Sequence, residues 1–140
     1  MLKYIARRQS KALRKKYRRL VGAMPLAFST LTPSKVPKAG GVYVITAVKG
    51  AYEFPYYVGR TKNLQQRLYN NHLMGPVSNA RLKKHLIAMG ECKDVADAKA
   101  FIRANCVVRW VKQDGFRERG ALEGHATALL FPKYGIYEEH

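Results

Sequence analysis

The first part of the chain has apolar residues at helical spacing among basic ones. Four of them recur on one helical face: Leu13, Tyr17, Leu20 and Val21. This pattern predicts an amphipathic basic helix over residues 3–21, which ends at Gly22. Residues 22–40 are rich in proline, serine and threonine, which predicts a linker or a wrapping strand. We therefore divide the chain into a basic N-terminal helix with its linker, residues 1–39, and a domain of residues 40–140.

Beyond residue 40 the pattern changes to short runs of β-branched and aromatic residues. The runs 42–48 and 52–58 predict two strands joined as an antiparallel hairpin. Pro55 suits an edge strand or a bulge, because proline has no N–H to donate to a sheet. Helical spacing returns after the second run, and Asn63 is predicted to cap the helix that follows.

Three further helices and one further strand complete the pattern. Apolar spacing predicts helices at 78–89, 94–104 and 116–130, and a strand at 106–111. The basic side chains of the first of these helices are expected to face outward: Arg81, Lys83 and Lys84. The order of elements indicates an α+β fold, with a small three-stranded antiparallel sheet flanked by helices and the basic helix in front.

The net charge of the chain indicates which kind of molecule it binds. The chain has 140 residues and a net charge of +17, and no acidic residue precedes Glu53. Such an excess predicts a polyanionic partner, with nucleic acid, DNA or RNA, as the first candidate. Six side chains of the N-terminal helix are predicted to contact phosphates: Arg7, Arg8, Lys11, Arg14, Lys15 and Arg18. A solvated face or a disordered arm is the alternative, whereas the large apolar face of a membrane-binding helix is absent.

The two cysteines and the lengths of the apolar runs indicate the cellular compartment of the protein. Cys92 and Cys106 have no further ligand at zinc spacing, so we expect reduced thiols. No apolar run is long enough to cross a membrane. We therefore expect a soluble intracellular protein of the cytoplasm or nucleoid. An acid-free, arginine-rich N-terminus is also typical of a transit peptide, which leaves an organelle open.

The chain lacks the glycine-rich, zinc-hydrolase and nucleophile-elbow signatures of common enzymes. What remains is a polar set on the predicted hairpin and helices: Tyr43, Tyr57, Arg60, Arg67, His72 and Glu123. Hydrolysis of a phosphodiester needs a group that activates water, a cation that offsets developing charge and a carboxylate that holds a metal. The set contains each of these.

The spacing of this set also suggests a family. GVY stands at 41–43, YVG at 57–59, GRTKNLQQRL at 59–68 and a late LE at 122–123. Together these segments, spread over roughly residues 40–135, resemble the GIY-YIG nuclease superfamily. The resemblance implies an α+β domain that hydrolyses phosphodiester bonds in DNA with one divalent ion, Mg²⁺ or Mn²⁺.

The resemblance further implies a role for each matching residue. Tyr43 would activate or position the attacking water, and Tyr57 would lie close to the scissile phosphate. Arg67 would stabilise the pentacovalent phosphate, and Arg60 would stand beside the substrate. Glu123 would bind the metal.

Two positions depart from the usual pattern of that superfamily. Asn71 stands where relatives often have histidine or tyrosine, so that His72, one residue later, is the candidate substitute. Gly135 stands where many relatives have asparagine, and glycine offers no side chain for that role.

These observations favour a metal-dependent endonuclease acting on DNA or structured nucleic acid. Its catalytic residues would be Tyr43, Tyr57, Arg67 and Glu123, while Arg60, His72 and the basic helix would bind substrate. The alternative is a catalytically impaired nucleic-acid-binding protein of the same fold, for example in a ribonucleoprotein such as a ribosome. A homodimer or a larger nucleoprotein assembly is left open, because a single domain of this size has little surface for long-site recognition.

Overall fold

A computed structural model describes residues 1–75 and 81–135. The elements in chain order are helix α1 (Leu2–Gly22), strand β1 (Leu26–Ala27), two 3₁₀ turns (Phe28–Thr30 and Pro33–Lys35), strands β2 (Gly41–Lys49) and β3 (Tyr52–Thr61), a π-helix (Gln66–Met74), helices α2 (Arg81–Ala88) and α3 (Val95–Asn105), strand β4 (Cys106–Lys112) and helix α4 (Phe116–Leu130). The predicted start of α2 at residue 78 lies outside the described residues. None of the helices in the described ranges is long and apolar enough to span a membrane.

The predicted α+β architecture is confirmed. The three predicted strands form an antiparallel sheet with β2 in the centre, and the sheet order is β1-β4-β2-β3. A fourth strand, β1, extends the predicted three-stranded sheet by pairing with Val107 and Val108. With only two residues, it is too short to give a pattern in the sequence. The register between β2 and β3 shifts beside Pro55, on an edge strand, as the proline predicts.

The central strand β2 is buried on both faces from Gly41 to Ala47. Alternate residues point to opposite sides of a strand, so each face contributes to a different core. Tyr43 and Ile45 pack with the π-helix, α2 and α3. Val42 and Val44 pack with α1 and α4 on the other face. The sheet is therefore the middle of three layers.

Helix α1 is attached to the domain by its C-terminal half. Leu20 is buried, and Leu13 and Tyr17 pack partly against the core that α1 shares with α4. Arg109 of β4 fixes the helix end, because its Nε donates to the Ala23 carbonyl while its guanidinium pairs with Glu53. Residues 1–12 are exposed along their whole length. The basic helix therefore extends beyond the layers that it helps to cover.

The π-helix is held at both ends by side chains. Asn63 accepts a hydrogen bond from the Gln66 N–H at 3.1 Å, so the predicted cap is confirmed. At the other end, the Nζ of Lys83 donates to the carbonyls of Asn71, Leu73 and Gly75. The expectation that Lys83 faces outward is therefore wrong: this side chain is fully buried. The last carbonyls of a helix lack partners within the helix, and one ammonium satisfies three of them.

Candidate active site

A cavity of about 710 Å³ opens at the edge strand β3, where residues of both helical layers meet. Strand β3 is an edge strand: within residues 1–75 and 81–135, no further strand pairs with this side of it. The polar side chains that line the cavity are Tyr43, Tyr57, Arg60, Arg67, Arg81, Glu123 and Thr127. Its size suits a ligand of nucleotide dimensions. Five of the six residues in the predicted polar set therefore face one space, and the sixth, His72, lies directly behind Tyr43.

Gly59 allows Tyr43 to lie where it does, and Gly41 allows Leu64 to pack against β2. Gly59 is the cross-strand partner of Tyr43, and a Cβ at Gly59 would lie 2.5 Å from Tyr43 Cζ. At Gly41, a Cβ would lie 2.8 Å from Leu64 Cδ1. Real Cβ atoms do not approach neighbours so closely, so both positions need a residue without a side chain. The glycine of YVG thus has a steric role in the site, and the glycine of GVY has one in the packing beside it.

Three aromatic rings form the buried wall of the cavity. The hydroxyl of Tyr43 and His72 Nε2 share a hydrogen bond of 2.7 Å, and both residues are buried, Tyr43 at the inner wall of the cavity. Ring centroids lie 6.2 Å apart for Tyr43 and Tyr57 and 5.5 Å apart for Tyr57 and His72. The His72 ring is therefore positioned to orient the Tyr43 hydroxyl.

Burial controls the protonation of this wall. It raises the pKa of Tyr43 well above its ordinary value, and the neighbouring Tyr57 adds to the effect while Arg67 opposes it. Burial likewise raises the pKa of Tyr57. It lowers the pKa of His72 to about 3, with Arg67 and Lys83 adding to the shift. At neutral pH, all three rings are uncharged.

The π-helix explains why His72, rather than Asn71, contacts Tyr43, while Asn71 lines an adjoining cavity with Arg67. In an α-helix, residues four apart lie one hydrogen-bonded turn from each other, so Asn71 would share a face with Arg67. In a π-helix, the hydrogen-bonded turn is one residue longer, and the residue one turn beyond Arg67 is His72. The electrostatic influence of Arg67 on His72 agrees with this placement. The longer turn thus places His72, one residue after Asn71, behind Tyr43.

Glu123 is the one carboxylate among the described residues that line the cavity. Its Oε1 lies 3.9 Å from Arg60 Nε, and 30% of its side chain is exposed. Partial burial raises its pKa, and Arg60 and Arg81 oppose that rise. A partly desolvated carboxylate that opens to a cavity fits a single-ligand site for a divalent ion. Within residues 1–75 and 81–135, no three His, Cys, Asp or Glu side chains are grouped closely enough to hold a metal ion.

Part of the chain matches one known protein family. Residues 39–104 match the model of the GIY-YIG catalytic domain. This part of the chain is similar to a GIY-YIG catalytic domain. No curated protein and no solved structure matched the chain. The match confirms the resemblance noted in the sequence and assigns a nuclease-type fold.

The matched GIY-YIG segment contains both site tyrosines, Arg67 and His72 but ends before Glu123. Glu123 reaches the site because α4 packs against β2 and β3 from the opposite layer. The C-terminal segment reaches it because Lys133 and Tyr134 donate backbone hydrogen bonds to the carbonyls of Pro55 and Tyr56, both 2.9 Å long.

Sequence reasoning missed several residues of the site region, and four of them have side chains that could contact a substrate. Arg81, Thr127 and Phe131 line the cavity with the predicted set, and Phe116 lines an adjoining one. Arg81 is exposed as predicted, and its side chain also lines the cavity. No local signal identifies such residues, because their role comes from which helix face meets the edge of the sheet.

The remaining predicted residues lie elsewhere. Gly135, in the position of the usual asparagine, lines the main cavity but contributes only backbone. The six basic residues of α1 are all exposed: Arg7, Arg8, Lys11, Arg14, Lys15 and Arg18. None of them lines either of these two cavities.

Proposed function

We propose that the protein is a metal-dependent endonuclease that hydrolyses phosphodiester bonds in DNA or structured nucleic acid. One observation carries the proposal. Tyr43, Tyr57, Arg67 and Glu123 come from four different elements, and all face the cavity at the edge of β3. Convergence of this kind from distant parts of the chain supports a site more strongly than any one of the residues does.

The cavity suits an anionic transition state. Arg60, Arg67 and Arg81 line it, and a guanidinium can bind two phosphate oxygens at once. A hydrolytic transition state gathers negative charge on those oxygens, so cations fixed in advance stabilise it. In this proposal Arg67 stabilises the pentacovalent phosphate, while Arg60 and Arg81 bind the substrate strand.

The tyrosines would position the nucleophile. Tyr43 keeps its proton at neutral pH because burial raises its pKa, and His72 fixes the direction of its hydroxyl. It is therefore suited to orient a water molecule beside the phosphate that Tyr57 contacts. Glu123 would hold one Mg²⁺ or Mn²⁺, which supplies Lewis-acid stabilisation of the phosphate when bound. Contacts of α1 with phosphates would add affinity that does not depend on sequence.

The test uses supercoiled plasmid and structured RNA with Mg²⁺ or Mn²⁺. We expect the plasmid or the RNA to be cut by the wild type, and a rate at least about 10²-fold lower for Glu123→Gln and for Arg67→Ala. Glu118→Gln is the matched control, since Glu118 is an exposed carboxylate on the same helix. Unchanged cleavage in the Glu123 and Arg67 variants would refute the assignment.

A second outcome supports the other candidate function. Gly135 leaves the asparagine position of the cavity without a side chain, which favours a binding protein with impaired catalysis. Tight, salt-sensitive binding of DNA or RNA by the wild type, with no cleavage in either metal, would identify that function.

A further inference from the structure

One face of α4 runs along the whole site. Phe116, Gly120, Glu123 and Thr127 are spaced by four, three and four residues, so they share that face. Phe131 follows directly after the helix and lines the same cavity as Glu123 and Thr127. The metal-binding candidate therefore lies near the middle of a helix that has a phenylalanine at each end.

A second cavity continues the first along this helix. It has a volume of about 360 Å³ and shares Arg60 and Arg67 with the main cavity. Its other charged lining residues are Lys62 and Arg119, and its apolar lining residue is Phe116. Arg60 also lies across Gly120, where a Cβ would be only 2.5 Å from its Nη1. The two cavities thus form one basic groove on both sides of Arg60.

The two phenylalanines at the ends of this groove are exposed to solvent. The exposed fraction is 69% for Phe116 and 77% for Phe131. Phe131 also has a φ of 46°, a left-handed conformation in which glycine is usual at a helix end. Exposed aromatic rings in a basic groove are the arrangement with which proteins bind single-stranded nucleic acid.

We propose that this groove binds an unpaired strand, with bases stacked on Phe116 and Phe131 on either side of the cleaved phosphate. The inference rests on the proposed function and names its substrate class. From Phe116 to Glu123 the helix rises about 10 Å, the length of roughly three stacked nucleotides. In an intact duplex each base face is covered by its neighbours, so a phenyl ring can reach only a base that is unpaired or splayed out. Single strands, loops and flaps therefore fit the groove, and a continuous duplex does not.

The experiment measures binding by fluorescence anisotropy in EDTA, with a labelled DNA strand and the duplex of the same sequence. We expect Phe116→Ala and Phe131→Ala each to weaken binding of the single strand by roughly 5- to 150-fold and to leave duplex binding unchanged. Phe116→Trp should retain single-strand binding, because it keeps an aromatic face. Phe54→Ala is the matched control, since Phe54 is an exposed phenylalanine at the opposite end of β3.

The two proposals can fail separately in this design. Binding is measured without metal, so loss of single-strand affinity in Phe116→Ala supports the groove even if the wild type never cleaves. Cleavage that depends on Glu123, together with single-strand binding that Phe116→Ala and Phe131→Ala leave unchanged, would refute the groove and keep the endonuclease. An equal loss for single strand and duplex would also refute it.

Discussion

The hydroxyl of Tyr43 and Nε2 of His72 are joined by a hydrogen bond of 2.7 Å, and both residues are buried. This bond links the central strand to the π-helix behind the cavity. Nδ1 of His72 has no hydrogen-bond partner in the described part of the chain. A proton added to this ring would place an uncompensated charge in the core. The bond therefore ties the stability of the site to the protonation of one histidine.

The first prediction is that His72 makes the fold sensitive to acid. Its folded-state pKa is about 3, well below the value of about 6.5 expected in the unfolded chain. Between these values the unfolded chain binds a proton that the folded protein excludes, so stability falls as pH falls. Urea unfolding at pH 7.5 and pH 5.0 should show a loss of about 2 kcal/mol from this residue alone.

His72→Phe isolates that contribution. The variant keeps a ring of similar shape but cannot bind a proton, so its free energy of unfolding should depend less on pH, by the same 2 kcal/mol. Its stability at pH 7.5 should be lower than that of the wild type, because the hydroxyl of Tyr43 loses a buried partner. If the free energy of unfolding changed equally with pH in the wild type and in His72→Phe, the proposed acid sensitivity of His72 would be refuted.

The second prediction concerns the close approach of Tyr43 to Gly59. Gly59→Ala would place a Cβ 2.5 Å from Tyr43 Cζ, and Tyr43 cannot move away because it is buried and bonded to His72. We expect a loss of roughly 1–3 kcal/mol in the free energy of unfolding, together with loss of cleavage, because the hydroxyl is displaced. Both are measured on the purified variant by urea unfolding and by the plasmid assay.

Gly22→Ala is the control for that substitution. A Cβ at Gly22 would have no atom within 4 Å, and the residue ends an exposed helix. The variant should be as stable as the wild type or slightly more so. If Gly59→Ala behaved in the same way, the steric explanation for the YVG glycine would be wrong.

Much of the fold was predictable because its signals are local. The hairpin, the bulge at Pro55, the cap at Asn63 and the bounds of α4 each depend on residues within one or two turns or strands. Glu123 was identified because it is a carboxylate on an apolar helix that matches a known spacing. The structure places it beside Arg60, on the wall of the cavity.

The other features of the fold and the site depend on contacts between residues far apart in the sequence. The local pattern of apolar and polar residues carries no information on such contacts. Lys83 has the spacing of a surface lysine, and only the three carbonyls at the end of the π-helix explain its burial. The π-helix itself was expected to be an ordinary helix, which is why His72 stood one residue out of place. Arg81 was correctly expected to be exposed, but the groove that it faces exists only after both layers pack on the sheet.

The third prediction is that Lys83 holds the end of the π-helix in place. Burial lowers its pKa to about 8, so at pH 7 the ammonium still has all its donors. Lys83→Met removes these donors and leaves three carbonyls without this partner, each loss being worth roughly 1–3 kcal/mol. Hydrogen exchange should therefore be faster in peptides that cover the π-helix, and cleavage should slow because Arg67 and His72 lie on that helix.

Lys84→Met provides the comparison for Lys83→Met. Lys84 is the next residue and is exposed, so the change in charge and in side-chain volume is the same without the three carbonyl contacts. Its exchange pattern in the π-helix should match that of the wild type. Equal exchange in the two variants would show that the ammonium of Lys83 is not what fixes this segment.

The last prediction concerns the exposed half of α1. If Arg7, Arg8 and Lys11 contact phosphates, each contact releases counterions when duplex DNA binds. Replacing all three by glutamine should then weaken binding at low salt and reduce the slope of log K against log salt by roughly 2 to 3. Cleavage of substrate at saturating concentration should change little, because none of the three lines the two cavities.

A triple variant on another surface controls for net charge. Lys84, Lys93 and Arg103 are exposed on or beside α2 and α3, and their replacement by glutamine removes the same charge. Long-range attraction alone would lower both slopes equally, since it depends on total charge. A smaller slope only in the α1 variant would show that this helix contacts the phosphates, and equal slopes in the two variants would refute that role.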